Sequence, residues 1–420
     1  MTQEQPTVLV RMADASDVYM SWRWVGDSAP RGAAMLPGEP VLEAVRRLSD
    51  ALPHPAEPGG LERAMTTGAF ADLDTEYLVA QTLSRALLPQ ALAAQLYELY
   101  QRGIRPHIRL QPSPRVAQVP WEIIAPGPEV RLIDIADVSL LAPASIVHAP
   151  GRIARTWSAT HHAPVVAVLD PRIPGFRADS ILGSVLGRMP ANAPLTQRFA
   201  EYAAQDRLRP AVLDPTEAFR RTDIDRTWLS TALRDGASRL IYVGHVTAAP
   251  PESGQSEHAE LHLACTADTL GFAIPTRAHR PLSAKDFLLG THTLAPEPAD
   301  GQDLWPIPSR VALIACESGG DLRFTEALGL TAAMINGGAE LVTASRWPLP
   351  TDLAFHRIAG APPDAHPLHQ AICAIDAAHE QPDPVAALAT WQRERLHAWR
   401  TERTIEHSPL LWSAFATLCA

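Results

Sequence analysis

The chain has 420 residues, of which 46% are hydrophobic and 20% are charged, and its formal net charge at pH 7 is -10. This length is enough for two domains or for one large domain with an extension, and the composition is ordinary for a globular protein. The acidic balance argues against a general binder of nucleic acids or of anionic membranes.

The cysteines, the first residues and the hydropathy together indicate a reducing cytoplasm. The chain contains no CxxC pair, and its start, MTQEQPTVLVRMADAS, does not resemble a signal peptide. No apolar run is long enough to span a bilayer. Adjacent His161 and His162 have no nearby cluster of further metal-ligating residues, so we predict a surface pair and no metal site. The sequence implies no organic cofactor either.

The first part of the chain, residues 1–160, predicts an α+β region. Apolar and polar residues alternate in its short strand-like runs, whereas its longest helical stretch carries leucines on recurring faces, which we attribute to packing. The predicted elements are strands over 8–12, 18–22, 107–110 and 130–141, and helices over 41–52 and 76–102. Pro89 should kink or divide the last helix.

The remainder, residues 161–420, predicts an α/β domain. Short apolar runs alternate with helical stretches, which implies right-handed crossovers and a mostly parallel sheet covered by helices on both faces. The predicted strands include 164–170, 239–243, 259–264, 311–315 and 341–345, with a short one over 212–214, and the predicted helices include 181–189, 225–233 and 325–336.

Cys316 ends one of these buried strands. Residues 311–320 read VALIACESGG, so five apolar residues precede the cysteine and a glycine-rich bend follows it. Reacting groups in open parallel sheets gather outside the carboxyl ends of the strands, which is where Cys316 would lie. We therefore predict a nucleophile, with an inert core thiol as the alternative. Cys265, Cys373 and Cys419 are predicted to be structural.

His245 follows another buried strand, residues 239–243, after a single glycine. Two neighbouring parallel strands that end in histidine and cysteine can bring an imidazole and a thiol together, and the imidazole then accepts the thiol proton. The backbone N–H groups of Val246 and Cys316 would hold the developing oxyanion. His262 alternates in phase with Glu260, is predicted to face solvent, and is the reserve candidate for the base.

Six segments spread over about residues 105 to 420 form a recurring pattern. They are the Pro-Trp-Glu motif within Val119–Ile124, Tyr242-Val-Gly-His245, Val311–Gly320, Gly329–Ala339, Thr343–Pro348 and Pro409–Phe415. Together they resemble the CHAT family, whose members are caspase-like cysteine peptidases of the separase–caspase (clan CD) superfamily. Val246 departs from the family pattern, which usually has glycine after the histidine.

The resemblance implies a caspase-like three-layer α/β/α fold and a cysteine endopeptidase that cleaves a protein substrate with a His245 and Cys316 dyad. Family members often work beside TPR or nucleotide-binding sensor proteins in bacterial defence and regulated cell death. Because the chain shows neither a TPR period nor a Walker motif, any sensor would be a separate protein. Residues 1–104 would be scaffold or a docking surface for it, and we predict scaffold.

Acidic side chains near the predicted site suggest selection of a basic residue before the scissile bond. Asp170 ends the first strand of the α/β domain, and Glu317 and Asp321 flank the nucleophile. The superfamily resemblance places that strand end at the primary pocket, and a capping or solvated Asp170 is the alternative. Trp347 follows a strand at the same edge and would either line the cleft or pack.

Two further functions stay open at this point. One is a catalytically silent or latent CHAT-like module that binds a sensor or effector partner, which the Val246 departure permits. The other is a cysteine hydrolase or acyltransferase that acts on small molecules, since the order histidine then cysteine does not exclude it.

Overall fold

The computed structural model describes residues 5–26, 29–55, 57–127, 129–290 and 299–420. Its strands are β1 (Thr7–Asp14), β2 (Val18–Trp24), β3 (Arg31–Leu36), β4 (His107–Gln111), β5 (Asp137–Leu141), β6 (Val165–Leu169), β7 (Leu208–Arg209), β8 (Arg239–Val243), β9 (Val246–Thr247), β10 (Glu260–Leu261), β11 (Leu282–Ser283), β12 (Arg310–Ile314), β13 (Leu341–Ser345) and β14 (Phe415–Cys419).

Its α-helices are α1 (Gly38–Ala51), α2 (Gly60–Thr66), α3 (Leu73–Leu87), α4 (Gln90–Gln101), α5 (Leu132–Ile135), α6 (Ala144–Val147), α7 (Trp157–Thr160), α8 (Pro194–Ala204), α9 (Arg226–Arg234), α10 (Ala284–Leu289), α11 (Gly301–Leu304), α12 (Leu330–Asn336), α13 (Asp352–Arg357), α14 (Pro367–Ala378), α15 (Pro384–Glu402) and α16 (Pro409–Trp412). Short 3-10 helices lie at Ala69–Ala71, Pro114–Val116, Trp121–Ile123, Pro215–Ala218, Pro251–Ser253, Ser256–His258, Gly320–Arg323 and Ile405–His407. Among the described helices, none is both long enough and apolar enough to cross a membrane.

The chain divides into two compact units that interleave along the sequence. The first unit comprises Met1–Leu141, Pro348–Pro367 and Gln381–Ala416, and the second comprises Ala142–Trp347, Leu368–Glu380 and Thr417–Ala420. The division of the sequence into residues 1–160 and 161–420 stays a prediction.

The first unit contains strands in the order β3-β2-β1-β4-β5. β2 is antiparallel to β1 and β3, whereas β4 is parallel to β1 and β5. The predicted strands over 8–12 and 18–22 are confirmed as β1 and β2. β3 was not predicted because its sequence, RGAAML, consists largely of glycine and alanine, which are depleted in strands.

The long helical stretch predicted over 76–102 is confirmed as α3 and α4, which Leu88 and Pro89 separate. The single strand predicted over 130–141 is wrong in its first half, where the short helix α5 precedes β5. The carboxylate of Asp134 accepts the backbone N–H of Arg131 at 2.8 Å and so stabilises the first turn of α5.

The second unit contains a parallel sheet in the strand order β13-β12-β8-β6-β7. Every residue of β6, β8, β12 and β13 is buried, which explains why the sequences of these strands are mostly apolar. With helices between successive strands, this arrangement confirms the predicted α/β fold with a mostly parallel sheet.

Two buried arginines lie opposite each other at the amino ends of the central strands, Arg239 in β8 and Arg310 in β12. The Nη1 atom of Arg239 is 2.9 Å from Oδ1 of Asp376 in α14. Nη1 of Arg310 donates to the carbonyl oxygen of His379 at 2.7 Å. The carboxylate of Asp376 therefore offsets the repulsion between Arg239 and Arg310, which would otherwise weaken the sheet.

Other local predictions for the second unit are wrong in extent. Residues 181–189 form turns rather than a helix. The short strand predicted over 212–214 is absent, and β7 lies earlier, at Leu208–Arg209. The strand predicted over 259–264 is only Glu260–Leu261, and the helix predicted over 325–336 begins at Leu330. Interactions with residues far along the chain determine the conformation of these segments, and a local sequence pattern does not reveal such interactions.

Candidate functional site

His245 and Cys316 follow two adjacent strands at the carboxyl edge of the parallel sheet. β8 and β12 are paired neighbours, with Val243 opposite Ile314. His245 and Cys316 each lie two residues beyond this pair, and the N–H of Gly244 donates to the carbonyl oxygen of Ile314 at 3.4 Å. The thiol and the imidazole therefore follow directly from two adjoining strand ends.

The imidazole of His245 has a defined orientation. Its Nε2 atom lies 2.9 Å from the carbonyl oxygen of Gly183, and since a carbonyl oxygen only accepts, Nε2 carries the hydrogen. Nδ1 of the neutral ring then keeps its lone pair and can accept a proton. Burial lowers the pKa of His245, against the raising effects of the Gly183 carbonyl and Asp170, which favours the neutral ring at pH 7.

Tyr242 supports the backbone of His245 from beneath. Its hydroxyl oxygen lies 2.6 Å from the carbonyl oxygen of His245 and 2.8 Å from that of His262. Burial raises the pKa of Tyr242, so the hydroxyl stays protonated and donates. A Cβ atom on Gly244 would lie 2.8 Å from this hydroxyl oxygen, so the position requires glycine. This contact explains the glycine within the Tyr-Val-Gly-His motif.

The turn after Cys316 is tied to the neighbouring strand β13. The Ser318 hydroxyl donates to the carbonyl oxygen of Leu313 at 2.6 Å and accepts the N–H of Ser345 at 3.0 Å. The N–H of Gly319 donates to the carbonyl oxygen of Ser345 at 2.9 Å. Cys316 itself is half-buried. The turn that follows Cys316 is therefore held by hydrogen bonds, while Cys316 itself keeps partial access to solvent.

Asp321, predicted to flank a substrate pocket, is buried and caps α12. Its Oδ2 atom accepts the N–H of Ala332 at 2.9 Å. Burial raises the pKa of this carboxyl group, against the opposing hydrogen bonds from Ala332 and Thr331. A Cβ atom on Gly329 would lie 2.7 Å from the carboxyl carbon, so glycine makes room for the cap. The carboxylate thus joins the cysteine turn to the helix behind it.

Glu317 is half-buried and paired, with its Oε1 atom 3.0 Å from Nη1 of Arg323. Its backbone has φ 51°, a left-handed conformation that is uncommon for residues other than glycine. Together with Ala249 and Phe324, this pair lines a cavity of about 10 Å³ between the segment after His245 and the cysteine turn. That volume holds about one water molecule.

Asp170, predicted as the specificity residue, is fully buried and bound on every side. It accepts the Ser184 hydroxyl at 2.6 Å and the N–H groups of residues 185–186 at 3.2 and 3.3 Å. Nη1 of Arg220 lies 3.1 Å from its Oδ1 atom. Asp170 thereby fixes the loop whose Gly183 carbonyl holds His245. The same bonds explain why residues 181–189 are not helical.

Trp347, predicted either to line the cleft or to pack, is fully buried, so its side chain packs in the interior. Its carbonyl oxygen accepts the N–H of Glu317 at 3.4 Å. Val246 begins β9 and lies opposite Leu261 of β10. Because the preceding pair is hydrogen-bonded, with the His262 N–H donating to the His245 carbonyl oxygen, the N–H of Val246 points away from β10.

The prediction that His262 faces solvent is wrong. The ring is buried, with its Nδ1 3.0 Å from Nε2 of His279 and its Nε2 2.8 Å from Oγ1 of Thr247. Nδ1 of His279 donates to the Cys265 carbonyl oxygen at 2.8 Å, which fixes both rings as neutral tautomers in one chain of hydrogen bonds. Burial lowers the pKa of His262 to about 3. Both of its ring nitrogens are engaged in this chain, which excludes it as the base.

The remaining cysteines have less reactive surroundings. Burial raises the pKa of Cys265 and raises that of Cys373 to about 11, so both thiols stay protonated at neutral pH. This agrees with a structural role for these two residues.

Sequence reasoning missed the residues that orient His245. Gly183 acts through a carbonyl oxygen, which every residue possesses, and Asp170 reaches Ser184 and Arg220 only after the loop has folded. Nothing local distinguishes them. Tyr242 had a signal, because it lies within the histidine motif, but its hydrogen bond beneath the loop depends on the missing side chain of Gly244.

Comparison with known proteins gives one family and two solved structures. A model of the CHAT domain family matches residues 78–420. Two crystal structures of the Saccharomyces cerevisiae separase–securin complex, at 3.0 and 2.6 angstrom resolution, are similar at 9% and 8% identity, with TM-scores of 0.47 and 0.44. They cover 99% and 98% of this chain, which spans 30% of each matched chain. No curated protein compared with the chain matches it.

Proposed function

The chain belongs to the CHAT domain family, and on that premise we propose that it is a cysteine endopeptidase with His245 and Cys316 as its catalytic dyad. The observation that carries the proposal is the pairing of β8 with β12, which ends in the two reactive side chains. The Gly183 carbonyl orients the imidazole. In hydrolases with a catalytic triad, the carboxylate of the third residue has this task.

The proposed reaction is acyl transfer in two stages. Nδ1 of His245 takes the thiol proton of Cys316, and the thiolate attacks the carbonyl carbon of a peptide bond. The N–H groups of Val246 and Cys316 donate to the oxyanion, for which the Val246 N–H is suitably turned away from β10. The C–N bond then breaks, and the leaving amine takes the proton from His245. A water molecule, deprotonated by His245, releases the acyl group and restores the thiol.

The environment of Asp170 supports a positioning role in this reaction. Its carboxylate already binds Arg220, so recognition of a basic side chain there would require a substrate guanidinium to replace that arginine. Glu317 has the equivalent constraint from Arg323. Selection for a basic residue would therefore require the substrate's side chain to replace Arg220 at Asp170 or Arg323 at Glu317. Either replacement would open a loop next to the dyad.

The small size of the cavity beside the cysteine turn favours a second candidate, a latent module that a partner protein activates. The cavity between the segment after His245 and the turn at Glu317 measures about 10 Å³, and this cavity is too small for a substrate side chain. Binding of a partner that parts these segments would open the site. In either form the chain would act in bacterial defence, signalling or regulated cell death, in the cytoplasm, beside a separate sensor.

Labelling with peptide acyloxymethyl ketones, followed by intact mass measurement, tests both candidates. The probes vary in the first-position side chain, and wild type is compared with Cys316→Ala, His245→Ala and the control Cys373→Ala. One adduct that is lost in Cys316→Ala, reduced in His245→Ala and kept in Cys373→Ala supports the peptidase. An adduct on Cys316 that does not need His245 contradicts the dyad. A folded wild type without any adduct favours the latent module.

A further inference from the structure

One face of the sheet in the first unit is rich in arginine. Burial alternates along β1 and β2, so that residues of one parity point to the interior and those of the other point outward. The outward set contains an arginine in each of four neighbouring strands. We call this surface the arginine face, and its arginines are Arg11, Arg23, Arg31 and Arg109.

The arrangement of these arginines is electrostatically unfavourable for the sheet itself. Arg23 lies directly opposite Arg31, and Leu9 pairs with both Arg23 and Arg109. Like charges directly opposite each other destabilise a sheet. Among the residues that the structure describes, neither Arg11 nor Arg31 nor Arg23 forms an ion pair. A chain with a net charge of -10 thus concentrates positive charge on one sheet face.

β3 is the last strand on this side of the sheet, and within the described ranges no strand pairs with its outer edge. The N–H of Trp24 donates to the carbonyl oxygen of Pro30 at 2.9 Å, so this opposed pair is a hydrogen-bonded one. Antiparallel pairs alternate, and therefore the backbone groups of Arg31, Ala33 and Met35 point away from β2. These are also the residues whose side chains are exposed on the arginine face.

Apolar side chains continue the arginine face towards the carboxyl end of β3. Ala13, Tyr19 and Met35 form one row across the strands, and Tyr19 and Met35 are 48% and 56% exposed. They line a surface depression of about 510 Å³. Edge strands are usually protected from pairing by charged residues or proline, and in β3 the one such residue is Arg31, at its first position. Exposed apolar surface next to an open edge marks an interaction site.

We infer that this edge binds an acidic segment of another protein, which adds as an extended strand along β3. Backbone groups of the segment would pair with those of Arg31, Ala33 and Met35. On the arginine face, its carboxylates would lie beside Arg31 and Arg23, and its apolar side chains would cover Met35. The surface belongs to the first unit, so the inference is independent of the peptidase chemistry.

Charge and backbone geometry favour this occupant over two others. A second copy of the chain would place another arginine face beside Arg31 and increase the repulsion. A nucleic acid would match the arginines but would leave the outward backbone groups of Ala33 and the apolar row of Tyr19 and Met35 unused. An acidic extended peptide satisfies the charges, the edge hydrogen bonds and the apolar row together.

Fluorescence anisotropy with the full chain tests the inference, in a Cys316→Ala background that prevents cleavage of the probe. The probe is a fluorescein-labelled peptide, Leu-Thr-Val-Thr-Glu-Thr-Glu, and its analogue has Lys in place of each Glu. We expect saturable binding of the acidic peptide only. Arg31→Glu should weaken it about tenfold or more, whereas Arg31→Lys should retain it.

A second pair of variants tests the edge hydrogen bonds. Ala33→Pro removes an outward N–H without removing a bond to β2, and Ala33→Ser keeps that N–H. We expect loss of binding in the first, with an unchanged circular dichroism spectrum, and retention in the second. The inference is overturned by absence of saturable binding or by binding that Ala33→Pro leaves intact. Tighter binding of a single-stranded oligonucleotide, or self-association that Ala33→Pro abolishes, would assign the edge to the other occupants.

Discussion

The Nε2 atom of His245 lies 2.9 Å from the main-chain oxygen of Gly183, and the residues that follow Gly183 are bound by the buried carboxylate of Asp170. The orientation of the imidazole thus depends on a loop from a different strand end. This dependence makes the loop a sensitive point for the proposed chemistry, although the loop itself contributes no reacting group.

Replacement of Gly183 by alanine should slow labelling of Cys316 by about one hundredfold. A Cβ atom at this position would lie 2.2 Å from the carbonyl oxygen of Ala178, so the loop must shift. The shift moves the Gly183 carbonyl oxygen, which accepts the hydrogen bond from His245. Displacements of about 1 Å cost rates of this order. The second-order labelling rate measures the effect. Gly127→Ala, where the new Cβ atom meets no atom within 4 Å, serves as the control. Equal rates in both variants would show that the carbonyl is unimportant.

Asp170→Asn should lower the labelling rate to a similar extent for every probe. The amide loses the charge that holds Arg220 and one acceptor for Ser184, so the loop loosens whatever the substrate. Rates for probes with Arg, Leu and Asp in the first position measure this. If the variant instead loses only its reaction with the Arg probe, Asp170 is the pocket residue that the sequence suggested.

Acid should destabilise the chain through His262. The unfolded state takes up a proton near the ordinary pKa of 6.5, whereas the folded state resists protonation until about pH 3. The free energy of unfolding therefore falls as the pH falls from about 6.5 towards 3, by at most about 1.4 kcal/mol per pH unit. Urea unfolding across this range should show a shallower loss in His262→Gln than in wild type.

The comparison between wild type and His262→Gln removes contributions that both proteins share. Glu260 is one of these, because burial raises its pKa to about 7 and its protonation favours folding as the pH falls from 7 towards 4.5. Parallel profiles for the two proteins would contradict a role of His262 in the acid response.

Asp376→Asn should cost about 3–5 kcal/mol in the free energy of unfolding, because it removes the carboxylate 2.9 Å from buried Arg239 and leaves the more distant Glu380, at 3.6 Å, to offset the charge. Arg198 also binds this carboxylate, at 2.6 Å, and binds exposed Glu201 at 3.4 Å. Glu201→Gln is therefore the matched control, and it should cost less than about 1 kcal/mol. Urea midpoints measure both changes. A similar small loss in both variants would show that the buried pair contributes little.

The sequence predicted the parts of the site that depend on strand ends. An apolar run followed by histidine or cysteine indicates a buried strand and its carboxyl edge, and β8 and β12 agree with this. The helix predicted over 225–233 is confirmed as α9, and the side chain of Asp225 accepts the N–H of Trp228 as its cap. These features depend on residues within one or two turns of each other, which a local pattern can contain.

The parts that were missed depend on partners far along the chain. The alternation of His262 with Glu260 predicts a side chain that faces solvent. His262 is buried instead, where it is hydrogen-bonded to His279, a residue of another segment that the local pattern does not include. β3 forms although its residues have weak strand preference, since Gly32 packs closely over Trp22 and an added Cβ atom would lie 2.3 Å from that ring. Tertiary contacts decided both cases, and neither contact can be read from spacing.

The interleaving of the two units has a consequence for synthesis on the ribosome. His245 and Cys316 are made before α14, which supplies Asp376, and before residues 417–420. Thr417 Oγ1 lies 3.1 Å from Thr343 Oγ1, and Ala142 donates to the Cys419 carbonyl oxygen at 3.0 Å. A nascent chain that has emerged only as far as β13 still lacks these contacts. The order of translation therefore delays completion of the second unit until residues 417–419 have emerged, so a chain truncated before them would lack these contacts.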